Sequence, residues 1–212
     1  MQTHILLLRH GQSVANVEKF FAGQCDIPLT DLGRKQAELA AESLRSLVLD
    51  EIYSSPLSRA YETALPFADS RGLKVGILPD FIEWCAGKWE GMHFDELKNT
   101  FPEEYYYWKN DIAHLIMPDG ESAYEIRERV GKAIEKLAAD CEGKTILVAC
   151  HGGVIKTVPS YFASCDDEIF KSTPVPGNCS ITEILFEDGV GKVVRYSDDS
   201  HLGKFKSDAF II

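Results

Sequence analysis

The sequence lacks the features that mark exported, membrane-bound or nucleic-acid-binding proteins. Its six dispersed cysteines contain no CxxC pair, so we expect free thiols and no zinc site. The N-terminal apolar run is only about four to five residues long, too short for a signal peptide or a membrane span. The net charge of -11 disfavours nucleic acid and anionic membranes as partners. We therefore expect a cytoplasmic protein.

Length and composition fit one soluble globular domain. The chain has 212 residues, of which 45% are hydrophobic and 26% are charged. It contains no internal repeats and no low-complexity tracts. We expect residues 1–212 to form a single domain.

Strand-like and helix-like patterns alternate along the chain. Strands are predicted at 5–8, 51–54, 74–78 and 145–150, with a terminal hairpin at 180–186 and 192–196. The alternation predicts an α/β fold, a three-layer sandwich with a mostly parallel sheet and an antiparallel edge. The segment from about 84 to 120 is rich in aromatic residues and poor in strand pattern, which predicts a helical aromatic cap inserted over the main body.

Two long helices carry recognisable starts. Thr30 is a plausible N-cap for a helix from 31 to about 47, and Ser122 with Glu125 forms a capping box for a helix reaching about 139. The helical period in the first of these predicts an inward face made of Leu32, Leu39, Ala40, Leu44 and Leu47.

The first predicted strand ends in residues suited to an anion site. Arg9 and His10 follow the apolar run directly, and Gly11 allows a close turn beside a ligand. Ser13 is placed to cap a short helix whose N-terminus faces the same point.

Two further segments point to that place. The 145–150 strand ends in His151-Gly152, and Arg59 lies in the first turn of a predicted helix after a strand, where a cation opposes the helix dipole unless an anion is bound. Ligands of such sheets bind beyond the carboxyl ends of the strands. We expect these side chains to converge there.

Two histidines and two arginines around an anion suit phosphoryl transfer through histidine. His10 is the predicted nucleophile, with its other N–H held by a backbone carbonyl. Arg9, Arg59 and His151 would bind the non-bridging oxygens. Glu83 is the predicted proton donor to the leaving group.

Several blocks together resemble the histidine phosphatase (phosphoglycerate mutase-like) superfamily. They are Arg9-His10-Gly11-Gln12-Ser13 with Asn16, Pro28-Leu29-Thr30-x-x-Gly33, Ser54-Ser55-Pro56-Leu57-Ser58-Arg59-Ala60, Glu83 with Gly87-x-Trp89-Glu90-Gly91, and Val148-x-x-His151-Gly152-Gly153. The resemblance implies a phosphohistidine mechanism with no metal and no cofactor. It also implies that Asn16, Ala22, Gly23 and Gly152 contact substrate.

Within that superfamily, the small phosphatase branch, including α-ribazole phosphatase-like enzymes, fits better than the mutase branch. Mutases are longer, carry a tyrosine where this chain has Ala86, and use paired arginines in the cap, whereas residues 94–120 contain no arginine. The resemblance implies a small phosphorylated metabolite as the binding partner. A homodimer is an open alternative for the oligomeric state.

The sequence also shares features with three other classes of protein. Gly11-Gln12-Ser13-Val14-Ala15 imitates the nucleophile elbow of a serine esterase, but its last glycine is replaced by Ala15. Gly143-Lys144-Thr145 imitates the end of a phosphate-binding P-loop, but Ala138 stands at the first glycine position. A non-catalytic binding module would have lost a central residue, and all five are present.

Overall fold

The computed structural model describes residues 1–207. The strands are β1 Gln2–Arg9, β2 Glu51–Ser54, β3 Val75–Ile77, β4 Thr145–Cys150, β5 Ile181–Glu187 and β6 Val190–Asp198. The helices are α1 Val14–Glu18, α2 Asp31–Ser43, α3 Ser58–Asp69, α4 Phe94–Thr100, α5 Pro102–Asn110, α6 Ala123–Asp140, α7 Gly152–Phe162 and α8 Asp167–Ser172. Short 3-10 helices lie at Pro79–Phe81, Gly87–Trp89, Ile112–His114 and Ser200–Phe205.

The strands form one mixed sheet in the order β3-β2-β4-β1-β5-β6. The first four of these strands are parallel to one another, and β5 and β6 add an antiparallel edge. The predicted fold class is therefore confirmed. All four parallel strands place their carboxyl ends at one edge of the sheet.

Both faces of the sheet are covered. Successive side chains of β1 point to opposite faces, so they belong to two different cores. Ile5 and Leu7 belong to a core formed with α6, α7 and the cap, whereas Leu6 and Leu8 belong to a second core formed with α2 and α3. All four side chains are fully buried. This arrangement makes the three layers.

The predicted extent of α2 is wrong, and of its predicted inward face only Ala40 is fully buried. The helix ends at Ser43 rather than near residue 47, and its buried residues are Gly33, Gln36, Ala37, Ala40 and Ala41. Small residues face inward because α2 packs closely against its neighbours, and a Cβ at Gly33 would overlap the carbonyl oxygen of Gln12. The leucines of this segment pack only partly buried at the margin of the core.

The other long elements agree with prediction within a few residues. The capping box of α6 is present, with the Glu125 amide donating to Ser122 Oγ at 3.1 Å. The terminal hairpin is also present. Helix α8 and the 3-10 helix Ser200–Phe205 were not predicted.

The cap consists of α4, α5 and the 3-10 helix Ile112–His114. Its aromatic side chains pack on the body of the protein: the ring of Phe21 lies 4.9 Å from that of Phe94 and 5.2 Å from that of Trp108, between ring centroids. Within residues 1–207, no helix combines the length and the apolar character needed to cross a bilayer.

Candidate active site

The carboxyl ends of β1 and β4 bring the two predicted histidines together. These strands pair in parallel, and the pairing continues one residue beyond β1, where the His10 amide donates to the Cys150 carbonyl at 2.9 Å. The imidazole rings of His10 and His151 lie with centroids 5.3 Å apart at an interplanar angle of 60°.

The surroundings of His10 fix both its tautomer and its charge. Its Nδ1 lies 2.7 Å from the carbonyl oxygen of Gly11. Because a carbonyl only accepts hydrogen bonds, Nδ1 carries the proton and Nε2 carries the lone pair. Burial, with the nearby charges of Arg59 and Arg9, holds the pKa of His10 well below its ordinary value. The ring is therefore a neutral imidazole at neutral pH, with its lone pair on Nε2.

His151 lies behind His10 and is fully buried. Its Nε2 is 2.7 Å from Ser55 Oγ, and Nδ1 has no hydrogen-bond partner among the described residues. Burial, followed by the charge of Arg59, keeps its pKa well below the ordinary value. His151 is not one of the residues that line the cavity beside His10.

Arg9 and Arg59 are the two arginines that line the cavity, and both are nearly completely buried. Arg9 donates from Nη1 to the Pro176 carbonyl, and Arg59 donates to the carbonyls of Cys25 at 2.7 Å and Gly23 at 2.8 Å. Burial lowers the pKa of Arg9 to about 10 and also lowers that of Arg59, so both guanidiniums stay charged at neutral pH.

Glu83 lies on the loop after β3 and lines the same cavity. Its carboxylate accepts hydrogen bonds from the amides of Trp84 at 2.8 Å and Gly153 at 3.3 Å. The second amide belongs to the first turn of α7, so the loop and the helix N-terminus are joined through this side chain. The predicted proton donor and the predicted nucleophile thus share one cavity.

The residues expected to touch substrate, Asn16, Ala22, Gly23 and Gly152, also line the cavity. Asn16 is held in place by its Oδ1, which accepts from the Ser13 amide at 3.0 Å and from Ser13 Oγ at 3.1 Å. Ser13 thus directs its hydroxyl to Asn16, and His151 directs Nε2 to Ser55. Ser13, the serine of the esterase alternative, is therefore not paired with His151.

Two local expectations need correction. Gly11 permits close approach to protein rather than to a ligand, since a Cβ there would overlap the Gly33 carbonyl. The first amide of α1, that of Val14, donates to the Pro28 carbonyl at 3.1 Å. The start of α1 nevertheless lines the cavity through Ser13 and Asn16, and the start of α7 meets Glu83 through the Gly153 amide.

Sequence reasoning missed two residues of this region. Asn178 is buried and donates from Nδ2 to the His10 carbonyl at 3.1 Å and to Asn16 Oδ1 at 3.0 Å. Lys156 lines the cavity and donates to the Phe170 carbonyl at 3.0 Å, and burial lowers its pKa to about 8. Its position four residues after Gly152, on the same helix face, was the available signal.

Apart from the groups already described, the cavity wall is mainly aromatic and aliphatic. The apolar lining residues are Ala15, Phe20, Phe21, Trp84, Ala86, Phe94, Trp108, Ile112, Met117 and Val175. Two arginines and a lysine therefore line a chamber whose other walls are mainly apolar. Residues 1–207 contain no group of three or more His, Cys, Asp or Glu side chains arranged to hold a metal ion.

Comparison with known proteins shows the family to which the chain belongs. The model of the Histidine phosphatase superfamily (branch 1) matches residues 5–199. The chain belongs to this superfamily. It is 30% identical to phosphoserine phosphatase 1 of Hydrogenobacter thermophilus over 205 residues, 97% of each chain. It is 34% identical to the adenosylcobalamin/alpha-ribazole phosphatase of Escherichia coli over 149 residues, covering 70% of this chain and 73% of the relative.

A solved structure has the same fold as this chain. The structure of Bacillus stearothermophilus YhfR superposes with a TM-score of 0.88 at 31% identity, covering 94% of this chain and 99% of that one. Within the histidine phosphatase superfamily, this chain is a phosphoric monoester hydrolase.

Proposed function

We propose that this chain hydrolyses small phosphomonoesters through a phosphohistidine on Nε2 of His10. The observation that carries the proposal is the hydrogen bond between His10 Nδ1 and the Gly11 carbonyl, because it leaves the lone pair on the other ring nitrogen. A neutral histidine with a fixed tautomer needs no further base to attack phosphorus.

In the first step, His10 Nε2 forms an N–P bond while the ester P–O bond breaks. Arg9 and Arg59 bind the non-bridging oxygens, whose charge they match throughout the transfer. The departing alkoxide takes a proton from the Glu83 carboxyl. The carboxyl becomes a carboxylate in this step, and the alcohol leaves as a neutral molecule.

In the second step, water attacks the phosphorus atom of the phosphohistidine. Glu83, now ionised, accepts the proton of the attacking water, and the N–P bond breaks to release inorganic phosphate. His10 returns to its neutral form with Nδ1 still bound to Gly11. His151 supports this cycle from behind as a buried neutral ring beside His10.

The proposal includes independence from metal ions, since the protein's own cations neutralise the phosphoryl charge. The test is turnover of p-nitrophenyl phosphate in EDTA. We expect full activity in EDTA and loss of activity in His10→Ala. An activity that vanishes in EDTA and returns with a divalent cation would contradict the proposal.

Hydrolysis is favoured over mutase-type transfer by the cap wall. The cap residues lining the cavity are Phe94, Trp108 and Ile112, and none of them carries a positive charge to match a second anionic group of a phosphoglycerate. Incubation with 3-phosphoglycerate separates the two activities. Release of phosphate supports the phosphatase, whereas formation of the 2-isomer supports the mutase.

A further inference from the structure

Glu83 belongs to a segment that has no regular secondary structure. It lies between the 3-10 helices Pro79–Phe81 and Gly87–Trp89, so no continuous helical or strand ladder holds its backbone. A side chain that transfers a proton must nevertheless be held within about 0.5 Å of its productive position. The amides of Trp84 and Gly153 hold the carboxylate of Glu83, and contacts from outside the segment must hold the backbone that carries it.

Arg129 of α6 holds the backbone just before Glu83. Its Nη1 donates to the carbonyl of Asp80 at 2.7 Å and to the carbonyl of Ile82 at 3.1 Å. These bonds are charge-assisted, and the planar guanidinium fixes their direction. The entry to the Glu83 segment is therefore anchored to a long helix.

Glu121, immediately before the α6 capping box, holds the backbone just after Glu83. Its Oε2 accepts from the Cys85 amide at 2.9 Å, and its own amide donates to the Cys85 carbonyl at 3.0 Å. Its carbonyl accepts from Trp84 Nε1 at 2.9 Å. The C-terminal end of the Glu83 segment is therefore also anchored by hydrogen bonds.

The two anchors are joined to each other. Arg129 Nε lies 2.8 Å from Glu121 Oε1, and Arg129 Nη2 lies 2.8 Å from Glu121 Oε2, which is a bidentate ion pair. Each side chain is 21% exposed, so water screens the pair only in part. The Glu121–Arg129 pair thus holds the backbone on both sides of the two residues Glu83 and Trp84.

We propose that Glu121 and Arg129 are positioning residues for proton transfer by Glu83; this inference rests on the phosphatase mechanism proposed above. Neither residue lines the cavity, so they act through the loop and not on the substrate. The competing role is stabilisation of the fold alone. The two roles differ in what they do to substrates with different leaving groups.

The experiment compares kcat/KM for p-nitrophenyl phosphate and benzyl phosphate. Benzyl alkoxide needs a proton to depart, whereas p-nitrophenolate leaves as a stable anion. Since kcat/KM covers the steps up to ester cleavage, the ratio of the two values reports proton donation. Glu83→Gln serves as the reference variant and should lower the benzyl phosphate value selectively, by about 100-fold or more.

Glu121→Gln and Arg129→Gln should each lower kcat/KM for benzyl phosphate by about 100-fold, the loss that a displacement of about 1 Å can cause. The value for p-nitrophenyl phosphate should change far less. The double variant should lose no more than either single variant, because the pair acts as one unit. Arg127→Gln is the matched control, since it breaks an α6 ion pair with Asp167 on another side of the helix.

Equal losses on both substrates, or an unchanged ratio in both single variants, would overturn the positioning role. If Glu83→Gln itself shows no preference between the substrates, the proton-donor assignment fails instead, and the proposed function must be revised. Thermal unfolding of each variant identifies any that do not fold. Glu121→Gln alone then decides the matter if Arg129→Gln is not folded.

Discussion

The imidazoles of His10 and His151 lie 5.3 Å apart between ring centroids, although they follow strands that are far apart along the chain. The parallel pairing of β1 with β4 produces this contact, because it ends both strands at the same edge of the sheet. Burial and neighbouring guanidiniums keep both rings neutral. The juxtaposition of the two imidazoles is thus a consequence of the sheet topology.

The buried neutral histidines make stability depend on pH. The native pKa of His10 lies well below about 6.5, the value in an unfolded chain, so the unfolded state binds more protons as the pH falls. The free energy of unfolding should therefore decrease as the pH is lowered below about 6.5. Urea unfolding at a series of pH values measures this, and His10→Asn should weaken the dependence.

The control for that series is His93→Asn, which removes an exposed histidine immediately before helix α4. This variant should keep the pH dependence of the wild-type protein. A dependence that survives intact in His10→Asn and disappears in His93→Asn would contradict the assigned protonation state.

Arg59→Met should lower kcat by about 10²–10³-fold, the effect of removing one donor to a transition-state oxyanion. The variant also removes hydrogen bonds to the carbonyls of Gly23 and Cys25, so the binding of inorganic phosphate should weaken as well. Steady-state kinetics and phosphate inhibition measure both effects. Arg34→Met, at a half-exposed surface arginine, is the control and should behave as the wild-type protein. Unchanged kcat and phosphate inhibition in Arg59→Met would show that the phosphate site lies elsewhere.

Gly11→Ala should destabilise the fold by about 3 kcal/mol or more, because a Cβ there overlaps the Gly33 carbonyl and backbone cannot move aside easily. Gly177→Ala is the matched control, since its nearest neighbour is the side-chain carboxylate of Asp199 at 3.2 Å. Chemical denaturation of the two variants gives the comparison. Similar stabilities would show that β1 and α2 can separate at little cost.

Gly153→Ala should impair proton donation without removing Glu83. A Cβ at position 153 would lie 2.5 Å from Glu83 Oε1, so the carboxylate must shift. We expect kcat/KM for benzyl phosphate to fall by at least about tenfold relative to that for p-nitrophenyl phosphate. A uniform loss on the two substrates would mean that the change acts on binding instead.

Much of this arrangement could be predicted from the sequence, because its signals are local. The apolar run of β1, the capping box of Ser122 and the His-Gly pairs at strand ends each depend on adjacent residues. The sheet rule then brought them to one edge. Convergence of His10, Arg9, Arg59 and Glu83 on one cavity followed from that rule and from the family resemblance.

What sequence reasoning missed depends on packing between distant segments. Leucines were expected to face inward on α2, but close contact with Gln12 favours the glycine and alanine face. Asn178 reaches His10 across the sheet, and no local pattern marks it. The anchoring of the Glu83 segment by Glu121 and Arg129 likewise joins residues from three separate stretches.

The most direct test is to trap the phosphorylated enzyme and locate the phosphoryl group. The protein is mixed rapidly with p-nitrophenyl phosphate, quenched in base and analysed by peptide mass spectrometry and ³¹P NMR. The account predicts an acid-labile, base-stable phosphoramidate on Nε2 of His10. Phosphate on Ser13, on His151 or on Nδ1 of His10 would contradict it, as would turnover in His10→Ala at the wild-type rate.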